Sequence, residues 1–343
     1  MRLQSTASLL ALMNHTALAP RKNLIIDTDL HSDVDDASAL MLGATLPNLN
    51  LLGVNVNHPS EYSALAASAI LAHYGHADTP ISIPRPMNSV TFFDKKNYKV
   101  GEYTSKVAYH WSGGTLPWGK AEDAWDPVFL YRKLLSEAGD GSVTIASIGF
   151  LDNISALLDS QPDKYSPMNG RALVRAKVHE LAVMGGTYPT GRSWNFYGSN
   201  PSRAAHVINT WEGKITFVGN DVGKHVLVGA PLMASTFEDD PIRQSYVWYG
   251  FGKPLPSWDP LTILYVANGL GEIFEIANDK GFNRILEDGT NEWVDDGVRR
   301  GQRYLKLRAG SEVAAAELDR LFLVAAERFS KYAKTWGEGK GEL

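Results

Sequence analysis

Along the chain, short unbroken apolar runs alternate with stretches whose apolar residues recur at helical spacing. Leu24-Ile25-Ile26 is one such run and predicts a strand buried on both faces. Ala37, Ala39, Leu40, Leu42 and Ala44 predict a helix directly after it. Pro47-Asn48-Leu49-Asn50 turns the chain, and Leu51 to Asn57 predicts a second buried strand. Pro59 and Ser60 open a helix with Tyr62, Leu65, Ala66, Ala69 and Ile70 on one face, which Gly75 ends. Ile81-Ser82-Ile83 predicts a third strand, cut off by Pro84 and Pro86. Strand–helix–strand–helix–strand implies a parallel sheet.

The pattern continues with predicted strands at Val143–Gly149, Val178–Met184 and Lys214–Val218. Helices are predicted from Pro127 to about Ala138, after the capping residues Asp152 and Asn153, and from Asp259-Pro260 through Val266. A last helix places Leu318, Leu321, Phe322, Ala325 and Phe329 on one face. Ile273–Ile276, Asn291–Val294 and Arg303–Leu307 predict a small antiparallel excursion, and residues 88–126 show no period. The expected fold class is α/β. A single domain over residues 22–336 holds a mostly parallel, Rossmann-like central sheet flanked by helices, with a leader at 1–21 and a tail at 337–343.

Between the first strand and its helix stand five carboxylates within ten positions: Asp27, Asp29, Asp33, Asp35 and Asp36. In open α/β sheets, ligands bind at the carboxyl ends of the strands. Anions packed this closely repel one another unless they are solvated, protonated or gathered around a cation. Hard oxygen donors at this density suit Ca²⁺ or Mg²⁺ rather than zinc. An EF-hand loop needs Gly at its sixth position and Glu at its twelfth; counting from Asp27 these are Ser32 and Ser38. A haloacid-dehalogenase-type phosphohydrolase also begins with a strand and Asp-x-Asp, with Asp27 as nucleophile. It does not usually continue with paired aspartates into a helix.

Composition narrows the classes further. The chain has 343 residues, 44% hydrophobic, with a formal charge of -5 and no cysteine. The charges are interspersed, so no basic patch points to nucleic acid. The absence of cysteine excludes disulfides, zinc–thiolate sites and cysteine nucleophiles. No uninterrupted apolar run approaches a membrane span. Residues 1–21 resemble a marginal signal peptide, with Ala17-Leu18-Ala19 as a small-residue cleavage site, so the expected location is cytoplasmic or secreted.

Asp27-Thr28-Asp29 followed by Asp35-Asp36-Ala37-Ser38-Ala39 resembles the opening signature of the inosine–uridine-preferring nucleoside hydrolases, Asp-x-Asp-Pro-Gly-x-Asp-Asp-Ala-x-Ala. Here Leu30-His31-Ser32-Asp33-Val34 replaces the middle, so the loop is longer and carries one more acid. Later segments are similar in order: Leu52-Gly53-Val54 with Asn55 and Asn57, Ser147 to Asn153, Val183-Met184-Gly185-Gly186 with Trp194-Asn195-Phe196, Pro201 with Ala204-Ala205-His206, and Ser257-Trp258-Asp259-Pro260. Ser193 stands where the family has glutamate, and Trp258 where many members have histidine.

The resemblance implies an N-glycosyl hydrolase that splits ribonucleosides into base and ribose with a calcium-activated water. It implies Ca²⁺ ligands at Asp27, Asp29, Asp36, Asp259 and the Ile148 carbonyl, and Asp29 as the base that takes the water's proton. Asp35, Asn57 and Asn195 would hold ribose, and Trp194 and Trp258 would wall the base. Tyr246 and Tyr249 are candidate proton donors to the leaving base. The implied partner is a small nucleoside, and the implied assembly a homo-oligomer. His31 and Asp33, inside the longer loop, read as surface or supporting groups. A calcium-dependent nucleoside or sugar binder without turnover is the non-enzymatic alternative.

Overall fold

The computed structural model describes residues 21–31, 33–92 and 99–337. The expectations for the leader fall mainly on residues 1–20, and those for the tail on 338–343, outside the described residues. In chain order the strands are β1 (Lys22–Thr28), β2 (Leu49–Val56), β3 (Ile81–Ser82), β4 (Val143–Ser147), β5 (Val178–Met184), β6 (Thr190–Arg192), β7 (Ile215–Val218), β8 (Leu227–Val228), β9 (Leu255–Pro256), β10 (Phe274–Asn278), β11 (Phe282–Ile285), β12 (Thr290–Val294) and β13 (Gln302–Leu307).

Eight of them form one sheet in the order β10-β13-β7-β5-β4-β1-β2-β3. Every neighbouring pair is parallel except β10 with β13. The apolar run Leu24-Ile25-Ile26 is fully buried because β1 lies between β2 and β4 with helices over both faces. One apolar core lies under the helices Asp35–Thr45, Glu61–His73, Asp259–Asn268 and Ser311–Gly337. The other lies under Pro127–Glu137, Asp152–Asp159, Gly170–Lys177 and Pro201–Thr210. The first helix rests closely on β1 at Gly43, where an added Cβ would come 2.6 Å from Ile26 Cδ1.

Strand order reverses between β1 and β4. At such a point the loops after adjacent strands leave in opposite directions and open a crevice. Register places Asp27 beside Asn55 on β2 and Ser147 on β4, so the polar strand ends seen in the sequence share one edge.

Three local expectations are corrected. The pieces near the end of the chain do not form one excursion. β10 and β13 extend the central sheet, whereas β12 pairs with β11 and β6 in a separate three-stranded sheet. The aperiodic segment contains a helix, Thr104–His110, stabilised by packing on Glu61–His73 rather than by its own pattern. Asp152 and Asn153 lie inside their helix rather than at its cap; Asn153 instead donates to the Val56 carbonyl at 3.1 Å.

The opposite end of the sheet holds a buried acid, Glu180. Burial alone would raise its pKa. Hydrogen bonds from Thr216 (2.6 Å) and Tyr265 (2.7 Å), with Lys214 at 3.0 Å, hold it below the ordinary range instead. A carboxylate depressed in the folded state contributes stability above its unfolded pKa and loses it as pH falls through the folded value. Wild type should therefore lose thermal stability more steeply than Glu180→Gln below about pH 4.5. Parallel acid-limb melting curves of the two proteins would contradict this.

Candidate active site at the strand switch point

Four acids of the loop and one from far down the chain come together at the crevice. Carboxylate oxygens of Asp33, Asp35 and Asp36 lie within 4.8 Å of one another. Asp35 Oδ2 accepts from the backbone N–H groups of Trp258 (2.8 Å) and Asp259 (3.1 Å), so the helix starting at Asp259 is seated on the acidic loop by its amino end. The Asp259 pKa is pushed well above the carboxylate range, first by burial and then by Asp35, Asp36, Asp33 and Asp29. Asp36 is raised in the same way by burial and by Asp29, Asp35 and Asp33. Its Oδ1 accepts from the Thr28 hydroxyl, while its Oδ2 is buried without a hydrogen-bond partner.

The magnitude of this crowding matters. Two ionised carboxylates 4.8 Å apart repel by about 3 kcal/mol at an effective dielectric near 20. Several such pairs rival the whole stability of a domain. Protons, a cation and the backbone N–H groups at helix amino ends are what can offset that. The donors are all oxygen, and one is buried and unpartnered. The residues fit a hard divalent cation.

Asp27 stands apart from this group. Its Oδ1 accepts from Asn57 Nδ2 (2.6 Å) and its Oδ2 from the Tyr131 hydroxyl (2.7 Å). Burial raises its pKa to about 7 against hydrogen bonds from Asn57, Tyr131 and Asn153, and Asp152 adds to the rise. With both oxygens engaged, it is poorly placed for the nucleophile of the phosphohydrolase alternative. Asn57 Nδ2 also donates to the Phe150 carbonyl (2.9 Å), leaving Asn57 Oδ1 buried and unpartnered. Gly149 allows this closeness: a Cβ there would collide with the Asp29 backbone nitrogen and stand 2.8 Å from Asn57 Nδ2 and from Asp29 Oδ1.

Asn195 Nδ2 donates to the carbonyls of Ile148 and Met184, both at 3.1 Å, and so ties the ends of β4 and β5. Trp258 is half-buried and donates its indole N–H to the Asn220 carbonyl (2.8 Å). Trp194 is exposed and packs on Phe150 and Tyr197. Tyr246 is buried with its hydroxyl 3.0 Å from Ser38 Oγ, while Tyr249 packs edge-on against Tyr103.

The described residues of the longer loop are buried or half-buried. Asp33 joins the carboxylate group, and its carbonyl accepts from the Tyr103 hydroxyl at 2.6 Å. His31 is buried, stacked on His58 with ring centres 4.6 Å apart. Burial alone lowers the His31 pKa, to about 4; burial and then His31 lower that of His58, to about 3. Both rings are neutral at neutral pH. The spacing of Asp33 with Asp35 and Asp36 was the available signal for its place. Tyr131, Tyr103 and Thr104 carried none, because one lies within a helix and the others at the start of another, neither with a polar motif.

A family profile for inosine-uridine preferring nucleoside hydrolase matches residues 24–316. The chain belongs to this family. It is thereby an N-glycosyl hydrolase by class, as its resemblance implied. A search of curated proteins by sequence finds no match. Among solved structures, the fold is similar to the inosine-uridine preferring nucleoside hydrolase of Bacillus anthracis. That pair shares 17% identity at a TM-score of 0.61 over 90% of this chain and 99% of the other. It is also similar to the purine-preferring ribonucleoside hydrolase of Gardnerella vaginalis, with 14% identity and a TM-score of 0.65 over 91% and 100%. A third similar structure is the type III effector protein XopQ complexed with adenosine diphosphate ribose, with 14% identity and a TM-score of 0.60 over 91% and 94%. At these identities the likeness establishes the nucleoside hydrolase fold. No described helix is long and apolar enough to cross a membrane.

Two thermal results should follow from the crowding. Millimolar Ca²⁺ should raise the melting temperature at neutral pH, and a chelator should reverse the rise. Asp36→Asn should melt higher than wild type in chelator, since it removes charge repulsion, and should lose most of the Ca²⁺-dependent rise. An Asp36→Asn protein that is less stable than wild type in chelator would contradict the repulsion.

Proposed function

We propose that this hydrolase cleaves the N-glycosidic bond of ribonucleosides, using a water activated at a Ca²⁺ site formed by Asp29, Asp36, Asp259 and the Ile148 carbonyl. The observation that carries the reading is the pair of hydrogen bonds from the Trp258 and Asp259 backbone to Asp35, which seats a distant acid among those of the opening loop. A divalent ion bound there would supply Lewis-acid lowering of the pKa of a bound water.

Asp29 takes one proton from the attacking water, whose oxygen bonds to the anomeric carbon. The bond from that carbon to the base nitrogen breaks, its electron pair goes to the base, and the base takes a proton from solvent. The surrounding carboxylates stabilise the positive charge that develops on the sugar. Asp35 and Asn195 orient the ribose hydroxyls, and Asn57 Oδ1 accepts a hydrogen bond at the reacting centre. Asp27, which the resemblance implies among the metal ligands, serves here as the support that Asn57 and Tyr131 both engage. Trp194 and Trp258 form the wall against which the base lies. The Trp258 indole N–H is already donated to Asn220, so it does not protonate the base.

The decisive experiment is a panel of nucleosides assayed for free base and reducing sugar, with Ca²⁺ or with chelator. Inosine or uridine should be cleaved with Ca²⁺ and lose nearly all turnover in chelator. Asp29→Asn should retain its fold and lose at least ~100-fold in kcat. Nucleoside binding without base release over hours would favour the binder, and near-normal turnover by Asp29→Asn would refute its role as base.

A further inference from the structure

We infer that Asp33 is a direct ligand of the divalent ion, so that the longer loop by which this chain departs from the family signature supplies part of the coordination. The inference deepens the Ca²⁺ site of the reading above and rests on it.

Three observations meet at this residue. Carboxylate oxygens of Asp33, Asp35 and Asp36 all lie within 4.8 Å of one another. Calcium holds its oxygens at about 2.3–2.6 Å, so two oxygens on one ion are at most about 5 Å apart. Asp33 therefore already stands at ligand spacing from Asp36. Next, Asp36 is fully buried, and its Oδ2 has no hydrogen-bond partner among the described residues. A buried oxygen left so is costly, and what an anion among anions accepts best is a cation. Finally, the core holds Asp33 in place. The Tyr103 hydroxyl, on a side chain 1% exposed, donates to the Asp33 carbonyl at 2.6 Å. Tyr103 directly precedes the helix Thr104–His110, which packs on Glu61–His73. A backbone anchored in this way offers its side chain to an ion at little ordering cost.

The chemistry of the ion agrees. Calcium takes about six to eight oxygens, and its affinity depends on how many of them are charged. Asp29, Asp36, Asp259 and the Ile148 carbonyl leave positions open, and Asp33 takes one of these while a water and the sugar hydroxyls take others. Magnesium is smaller, demands octahedral geometry and keeps several waters, so each added protein oxygen favours calcium over magnesium.

The test reads the ion itself, without turnover. Tb³⁺ substitutes for Ca²⁺, and its luminescence lifetimes in H₂O and D₂O count the waters bound to it. Ca²⁺ affinity is measured beside it by calorimetry, for wild type, Asp33→Ala and Tyr103→Phe. Affinity alone does not identify a ligand, because groups that only orient ligands change it by about 10–100-fold as well. The water count does. Asp33→Ala should gain one bound water and weaken Ca²⁺ binding by at least ~100-fold. Tyr103→Phe should keep the wild-type water count and weaken binding by about 10-fold, through looser placement of Asp33. A water count unchanged in Asp33→Ala overturns the inference and leaves Asp33 only its side-chain hydrogen bond with Asp35. If Asp33→Ala does not fold, Asp33→Asn decides by its Ca²⁺ affinity, and a wild-type value overturns the inference. A wild type that binds neither ion fails the calcium reading as a whole; a wild type that binds while Asp33→Ala is unchanged fails this inference alone.

Discussion

Mutual repulsion among buried carboxylates at the switch point of the sheet is the constraint around which this chain is built. A loop holding Asp29, Asp33, Asp35 and Asp36 is unfavourable on its own, and the structure adds Asp259 to it. What makes this tolerable is the helix Asp259–Asn268. Its amino end meets Asp35 through two backbone donors, and its carboxyl end is held by Lys22 Nζ, which donates to the Val266 (2.9 Å) and Ala267 (3.0 Å) carbonyls. An acid at the positive end and a base at the negative end suit the helix dipole. Both come from the first strand and the start of its following helix. A single long-range packing event thus orders the acids and closes the fold around them.

The remaining parts of the site hang from that arrangement. The registers of β1 with β2 and β4 bring Asn57 and Ile148 to the same edge as the acids. Gly149 lets the loops approach to contact, and Asn195 binds the ends of β4 and β5. Beneath them, Tyr131 and Asp27 fix the amide of Asn57 so that its oxygen stays uncommitted. The chain therefore spends backbone and side-chain donors on orientation and leaves acceptors for a cation and a substrate.

Much of this was legible in the sequence, and the limit was physical. A strand buried on both faces is a continuous apolar run, so six strands of the central sheet could be read directly. Acids at a strand end are conspicuous because nothing in folding alone favours them there. By contrast, β10 and β13 pair across a long separation, and local pattern does not specify such partners. Tyr131 sits on a helix face that reads as ordinary core, so its hydrogen bond to Asp27 had no local mark. His31 lay in a polar loop and read as surface, yet Tyr103 and Thr104 draw that loop inward from a segment without periodicity. Burial of that kind is a tertiary property and leaves no trace in spacing.

The central claim is that these carboxylates share one divalent ion with an acid supplied from far along the chain. Crystals grown with Mn²⁺, measured at a wavelength where manganese scatters anomalously, test it without reference to turnover. One strong anomalous peak is expected among Asp29, Asp36, Asp259 and the Ile148 carbonyl. No peak there in ordered crystals, or a peak that excludes Asp259, would contradict the account.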